Sequence, residues 1–151
     1  TLSEIKNGLE ATTPVSGRLV IKESQRGHEI IDDTYNSNPK SMSVAIEFLR
    51  KRNKTKVFVM GDMMELGKEK ESLHKELGKK LNEADIDYLF GIGELTKHAV
   101  DSFKNNGFWY EDIDCMIEDI VSMMLKNREM SILVKGSRSM KMERVVKVLS
   151  V

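Results

Sequence analysis

Eight consecutive residues, Asp32-Asp33-Thr34-Tyr35-Asn36-Ser37-Asn38-Pro39, place two carboxylates, a phenol and two carboxamides in one short run. A carboxylate such as Asp33 can accept a hydrogen bond from a ribose hydroxyl, while Tyr35 and the amides of Asn36 and Asn38 contact a base. Part of the run is ordinary turn chemistry, because Asp and Asn bond their own backbone and Asn38-Pro39 suits a helix start. Two adjacent acids and an aromatic exceed what a turn needs. A second group, Lys135-Gly136-Ser137-Arg138-Ser139, offers two cations and two hydroxyls after an apolar run and ahead of a helical stripe. With the free N–H groups of a helix start it would form an anion cradle, and Gly136 lets the backbone approach a ligand closely. The competing reading is a capped helix start with solvated charges.

Two glycine-containing runs invite nucleotide motifs and fail them. In Gly61-Asp62-Met63-Met64-Glu65-Leu66-Gly67-Lys68, five residues separate the glycines and Lys68 is followed by Glu69, so the phosphate-loop pattern is not met. Asp62 and Glu65 would repel phosphate; they suit a cation or a substrate amine, and a plain polar loop explains them equally well. Gly91-Ile92-Gly93-Glu94-Leu95-Thr96 lacks the third glycine of a dinucleotide fingerprint and reads as a strand-to-helix turn. His28, His74 and His98 have no metal-ligand spacing, and no metal site is expected. His74 follows Leu73, off the main apolar stripe, and faces either the binding edge or solvent. Cys115, in an amphipathic stretch, reads as a small buried or half-buried residue. No serine, histidine and acid grouping stands out as a nucleophile system, and the ten methionines fall mostly at core positions or loop ends.

The elements that must hold these groups alternate between short apolar runs and helical stripes. Leu2, Ile5 and Leu9 suggest an opening helix. Leu19-Val20-Ile21 and Ile30-Ile31 read as two strands joined through Arg26-Gly27. Further strands are expected at Val57-Phe58-Val59-Met60, at Tyr88-Leu89-Phe90 with Gly91 as its stop, at Phe108-Trp109-Tyr110 and at Ile132-Leu133-Val134. Helical stripes follow Pro39 (Met42, Ala45, Ile46, Leu49), then run through Leu73, Leu77 and Leu81, and through Leu95, Ala99 and Phe103 to an end near Asn106-Gly107. Two more run from Ile113 to Met124 and from Met142 to Leu149. The alternation predicts a three-layer, Rossmann-like α/β domain with a mostly parallel sheet of about six strands and one antiparallel edge strand. In such a sheet ligands bind beyond the carboxyl ends of the strands, where all four polar runs fall.

The 151 residues suit one domain spanning 1–151, with 40% hydrophobic and 32% charged content. Lys+Arg and Asp+Glu are both 24, so no overall field draws in nucleic acid or an anionic membrane surface. A single cysteine and the lack of any long apolar run point to a reducing cytoplasm rather than a membrane. A start at Thr1 fits a domain excised from a longer chain, or processing of a tag.

Taken in order, five features resemble the C-terminal domain of the Mur ligase family. They are Gly17-Arg18, the run from Asp32 to Pro39, Val59-Met60-Gly61-Asp62-Met63-Met64-Glu65-Leu66-Gly67, His74, and Leu133-Val134-Lys135-Gly136-Ser137-Arg138. The likeness covers Gly17 to about Glu143, with Ser37 standing where the family often has alanine. Within the family, the branch that joins D-alanyl-D-alanine to UDP-N-acetylmuramoyl-tripeptide is the nearest likeness. The resemblance implies an ATP- and Mg²⁺-dependent ligase of peptidoglycan precursor synthesis that works through an acyl phosphate. It also implies that the UDP-binding and ATPase domains lie outside this chain, because no Gly-x-x-x-x-Gly-Lys-Ser/Thr occurs here. This domain would pack on its own central domain, bind no cofactor tightly and be inactive alone. Carried across by position, Asp33 holds the ribose, Arg18 reaches the nucleotide phosphates, and Tyr35, Asn36 and Asn38 line the same wall. Lys135, Ser137 and Arg138 face the carboxylate end of the peptide substrate, and Asp62 and Glu65 lie near the incoming dipeptide. Two alternatives remain: a folylpolyglutamate-synthase-like ligase, against which Thr34-Tyr35-Asn36 speaks, and a stand-alone, flavodoxin-like nucleotide-binding or interaction domain.

Overall fold

A computed structural model describes residues 1–10 and 15–151, apart from the side chains of Leu9 and Glu10. The expected role of Leu9 in the opening stripe therefore lies outside the described residues. The chain runs α1 (Leu2–Glu10), β1 (Val20–Glu23), β2 (Glu29–Asp33), α2 (Pro39–Arg50), β3 (Thr55–Gly61), α3 (Lys70–Glu83), β4 (Tyr88–Ile92), α4 (Thr96–Ser102), β5 (Asn106–Tyr110), α5 (Ile113–Lys126), β6 (Met130–Lys135) and α6 (Glu143–Leu149). Short 3-10 turns at Gly67–Glu69 and Arg138–Met140 precede α3 and α6.

The six strands lie in the order β1-β2-β6-β3-β4-β5. All pair in parallel except β1, which returns antiparallel along β2 at one edge. The expected three-layer sheet is therefore observed. Buried strands show the two-residue alternation of side chains on both faces at once. Val57, Val59, Ile132 and Val134 meet α5 and α6 through Met116, Ile120, Val145 and Val146. Phe58, Met60, Leu89 and Leu133 meet α2, α3 and α4 through Met42, Leu49, Leu81 and Ala99. Apolar cover on both faces makes this sheet the rigid platform for the loops at its ends.

The last strand in sequence, β6, is inserted between β2 and β3. Register then levels the strand ends: Asp33 sits opposite Lys135, Lys135 opposite Met60, and Gly61 opposite Ile92. The loop after β6 consequently touches the loops after both β2 and β3.

Three local expectations change. Gly91 does not stop β4, which continues to Ile92; a Cβ at Gly91 would meet the Thr96 side chain at 2.4 Å, so glycine serves close packing there. Helix α4 ends at Ser102, where Phe103 turns extended, and Asn106-Gly107 belong to β5. The last helix opens at Glu143, beyond the 3-10 turn and a left-handed Lys141 (φ 50°). The Lys135–Ser139 run is thus a loop across the rim, not the mouth of a helix. No helix of the described residues is long and apolar enough to cross a membrane.

Candidate functional site

Arg18, Asp33, Tyr35, Asn36 and Asn38 line one cavity of about 480 Å³, with Lys135 at its floor. Leu19, with Lys40, Ser41 and Val44 from the start of α2, completes it, residues that sequence motifs did not mark. The two adjacent acids divide the work. Asp32 accepts from the backbone N–H (3.2 Å) and hydroxyl (2.7 Å) of Thr34, which is the turn chemistry. Asp33 faces the cavity; its Oδ1 accepts from Leu19 N–H at 3.2 Å and its Oδ2 lies 2.9 Å from Lys135 Nζ.

Lys135 is 2% exposed, and its ammonium also donates to the Asn36 carbonyl at 2.8 Å. That buried pair fixes the Asp33 carboxylate and the Asn36 backbone at once. Lys135 is therefore committed to the wall itself, and the sequence expectation that it faces a substrate carboxylate has to pass through Asp33. Asn38 caps α2: its side chain accepts from Ser41 N–H at 2.8 Å, and Ser41 Oγ accepts from Asn38 N–H at 3.0 Å. Above the cavity the Arg18 guanidinium lies 4.4 Å from the centre of the Tyr35 ring, with that of Arg138 at 6.0 Å. Gly17 lets these groups approach: it has φ 77°, its carbonyl accepts from Tyr35 N–H at 2.9 Å, and a Cβ there would strike that nitrogen.

The other half of the rim is the loop after β3. Ser137, buried, donates its N–H to the Asp62 carbonyl at 3.0 Å and accepts from Met64 N–H at 2.7 Å through Oγ, which also lies 3.4 Å from Ser37 Oγ. Asp62 is buried, and its Oδ1 accepts from both the N–H and the hydroxyl of Thr96 at 2.7 Å. Gly93, with φ 110°, is required beside it, since a Cβ would meet the Asp62 carboxylate at 2.4 Å. The glycine run that fails as a dinucleotide motif is thus the seat of Asp62. Glu65 is exposed at the loop tip in the left-handed region (φ 60°), and Arg138 is exposed 3.7 Å from Glu143.

His74 is wholly buried and therefore does not face solvent. Its Nε2 accepts from Met63 N–H at 3.0 Å and its Nδ1 donates to the Lys70 carbonyl at 2.6 Å. Burial holds its pKa below the ordinary 6.5, opposed in part by the Lys70 bond and the Asp62 charge. The buried face of α3 is His74, Leu77, Gly78 and Leu81, the i, i+3, i+4, i+7 stripe, and that spacing was the available signal. Cys115 is exposed rather than buried, because α5 turns Met116, Ile117 and Ile120 inward. Among the described residues no three His, Cys, Asp or Glu side chains converge as a metal ion would require.

Residues 17–138, which include every candidate site residue, match the sequence model of the family described as Mur ligase, glutamate ligase domain. The chain belongs to the Mur ligase family. It is 40% identical over 148 residues to the UDP-N-acetylmuramoyl-tripeptide–D-alanyl-D-alanine ligase of Buchnera aphidicola, covering 98% of this chain and 32% of that protein. The ligase of the same name from Escherichia coli is 36% identical, covering 99% of this chain and 33% of its own. Among solved structures, a MurF of Acinetobacter baumannii superposes with a TM-score of 0.89 at 32% identity, over 99% of this chain and 33% of that one. The MurF ligase of Thermotoga maritima, solved in complex with ADP, gives 0.78 at 27% identity over 93% of this chain and 32% of its own. This Mur ligase chain spans about a third of the length of the curated relatives it matches.

Proposed function

We propose that this chain is, within a longer protein, the C-terminal domain of a cytoplasmic ATP-dependent ligase that joins D-alanyl-D-alanine to UDP-N-acetylmuramoyl-tripeptide. ATP phosphorylates the terminal carboxylate of the tripeptide; the dipeptide amine attacks the acyl phosphate, and collapse of the tetrahedral intermediate gives the amide and phosphate. Such a site has to hold two anionic substrates in line and neutralise the transferring phosphoryl group.

The observation that carries this reading is the junction made by β6. Through Lys135 and Ser137 one loop ties a nucleotide-sized cavity to a second polar loop on the same rim. In this assignment Asp33 accepts from the ribose hydroxyls, oriented by Lys135. Arg18 reaches the phosphates, and Tyr35, Asn36 and Asn38 form the wall against the nucleotide. Arg138 and the Ser137 loop face the carboxylate end of the peptide substrate, while Asp62 and Glu65 belong to the loop beside the incoming dipeptide. The main phosphate grip and Mg²⁺ are assigned to sequence outside this chain, since the chain has no phosphate-loop motif.

The test is phosphate release from ATP by the full-length protein, which should require both the UDP-sugar tripeptide and D-alanyl-D-alanine. Asp33→Ala should raise KM for ATP roughly tenfold or more, the scale of a lost charge-assisted bond. The 151-residue chain alone should show no turnover. Turnover by the isolated chain, or a full-length enzyme that uses another amine in place of the dipeptide, would overturn the proposal.

A further inference from the structure

Past β3 the chain leaves the sheet with successive backbone N–H groups held by side chains from two different elements. Met63 N–H donates to His74 Nε2 on α3 at 3.0 Å, and Met64 N–H donates to Ser137 Oγ beyond β6 at 2.7 Å. The Met64 side chain is 46% exposed and Glu65 is exposed with a left-handed backbone, so the root of this loop is fixed and its tip stands open at the rim. Ser137 also serves the nucleotide side of the rim, whereas His74 touches only the loop root and its own helix.

We infer that His74 is a positioning residue for the acceptor amine: it sets the Met63–Glu65 loop through one accepted hydrogen bond and touches no substrate. The inference rests on the ligase reading above. An imidazole can do this only when Nε2 carries no proton, because Nδ1–H is already committed to the Lys70 carbonyl. A protonated ring would present N–H to N–H at Met63 and free the loop root. The charged groups acting on the ring are the Asp62 carboxylate from the β3 side and His98 from α4, the latter 4.0 Å from Glu71 on α3. Asp62 favours the charged ring and His98 disfavours it, while burial keeps the ring neutral at neutral pH.

The experiment uses the full-length enzyme and three forms of it: wild type, His74→Leu and His74→Gln. Leucine removes the acceptor; glutamine keeps an oxygen at the ε position but cannot titrate near neutrality. His74→Leu should raise KM for D-alanyl-D-alanine about tenfold, the scale of one orphaned buried N–H, with KM for ATP within about twofold. His74→Gln should restore the dipeptide KM to within about threefold of wild type. In wild type that KM should climb only as pH falls through the ring's lowered folded-state pKa, beneath the ordinary 6.5, and in His74→Gln this climb should be absent. An unchanged dipeptide KM in His74→Leu, or an acid climb that persists in His74→Gln, overturns the role of His74 and leaves the ligase reading standing. If His74→Leu does not fold, the pH comparison of wild type with His74→Gln decides alone. A wild-type enzyme that makes no product from the dipeptide sinks the ligase reading first, and the positioning role with it.

Discussion

Two imidazoles are wholly buried at opposite ends of this sheet, and each is bonded only to backbone. At the amino ends of the parallel strands, His28 Nδ1 accepts from Met130 N–H at 3.2 Å and its Nε2 donates to the Met124 carbonyl at 2.9 Å, clasping the start of β2 to α5 and β6. At the carboxyl ends, His74 makes the same two bonds with the opposite tautomer, Nε2 accepting and Nδ1 donating. Both satisfy backbone groups that the interior could not leave unpaired. The difference lies in what the bonded backbone does next. The groups held by His28 close a helix and start a strand, whereas the N–H held by His74 opens a loop on the rim. Equal burial and equal bonding therefore carry different consequences: stability alone at one end, stability and ligand geometry at the other.

The strongest way to test that division is to break the buried pair on the rim. Lys135→Met leaves Asp33 without its counter-charge and Asn36 without its donor, which should cost about 3–5 kcal/mol in urea unfolding of the chain. The double variant Lys135→Met with Asp33→Asn should recover part of that stability and none of the ATP affinity in the full-length enzyme. Recovery of both would mean that Asp33 serves packing only.

The His28 end supplies the contrast. His28→Leu orphans the Met130 N–H and the Met124 carbonyl and should cost about 1–3 kcal/mol for each group by urea unfolding. KM for ATP and for the dipeptide should stay where they are in whatever fraction remains folded. A rise in either would show that the two ends of the sheet are coupled, and the division would fail.

These two ends differ in the same way in how much of them the sequence displays. The architecture follows from periodicity: alternation of apolar runs and stripes foretells the wound sheet, and the opening hairpin foretells its antiparallel edge. The rim residues are also legible, since Asp33 and Tyr35 are unusual where they stand and Arg18 is marked by the family resemblance. What stays hidden is who pairs with whom. Asp33 and Lys135 read as two separate ligand groups because their bond depends on β6 slipping between β2 and β3, a long-range choice with no local mark. Asp62 reads as free for the same reason, since Thr96 opens α4, beyond another strand. His74 was hidden differently. Its helix stripe is visible, but Gly78, pressed against α4 where a Cβ would lie 2.2 Å from the Ala99 carbonyl, does not register as an apolar position. Without Gly78 the stripe appears to run through Leu73, which is only half-buried.

The finest test of the comparison is a pH dependence of stability. Burial lowers the folded pKa of His74 beneath 6.5, so as pH falls the unfolded chain takes up that proton first. The stability this neutral imidazole contributes is complete above about pH 6.5, declines as pH drops through that value toward the folded pKa, and levels off below it. Wild type should therefore lose Tm relative to His74→Gln between about pH 8 and pH 5, because glutamine keeps the bond to Met63 N–H and binds no proton in that range. Taking the difference between the two proteins isolates what the residue at position 74 contributes. A difference in Tm that stays flat across the window would mean that folding does not alter the ring's hold on its proton, and the neutral-imidazole bond to Met63 would then not be what fixes the loop root.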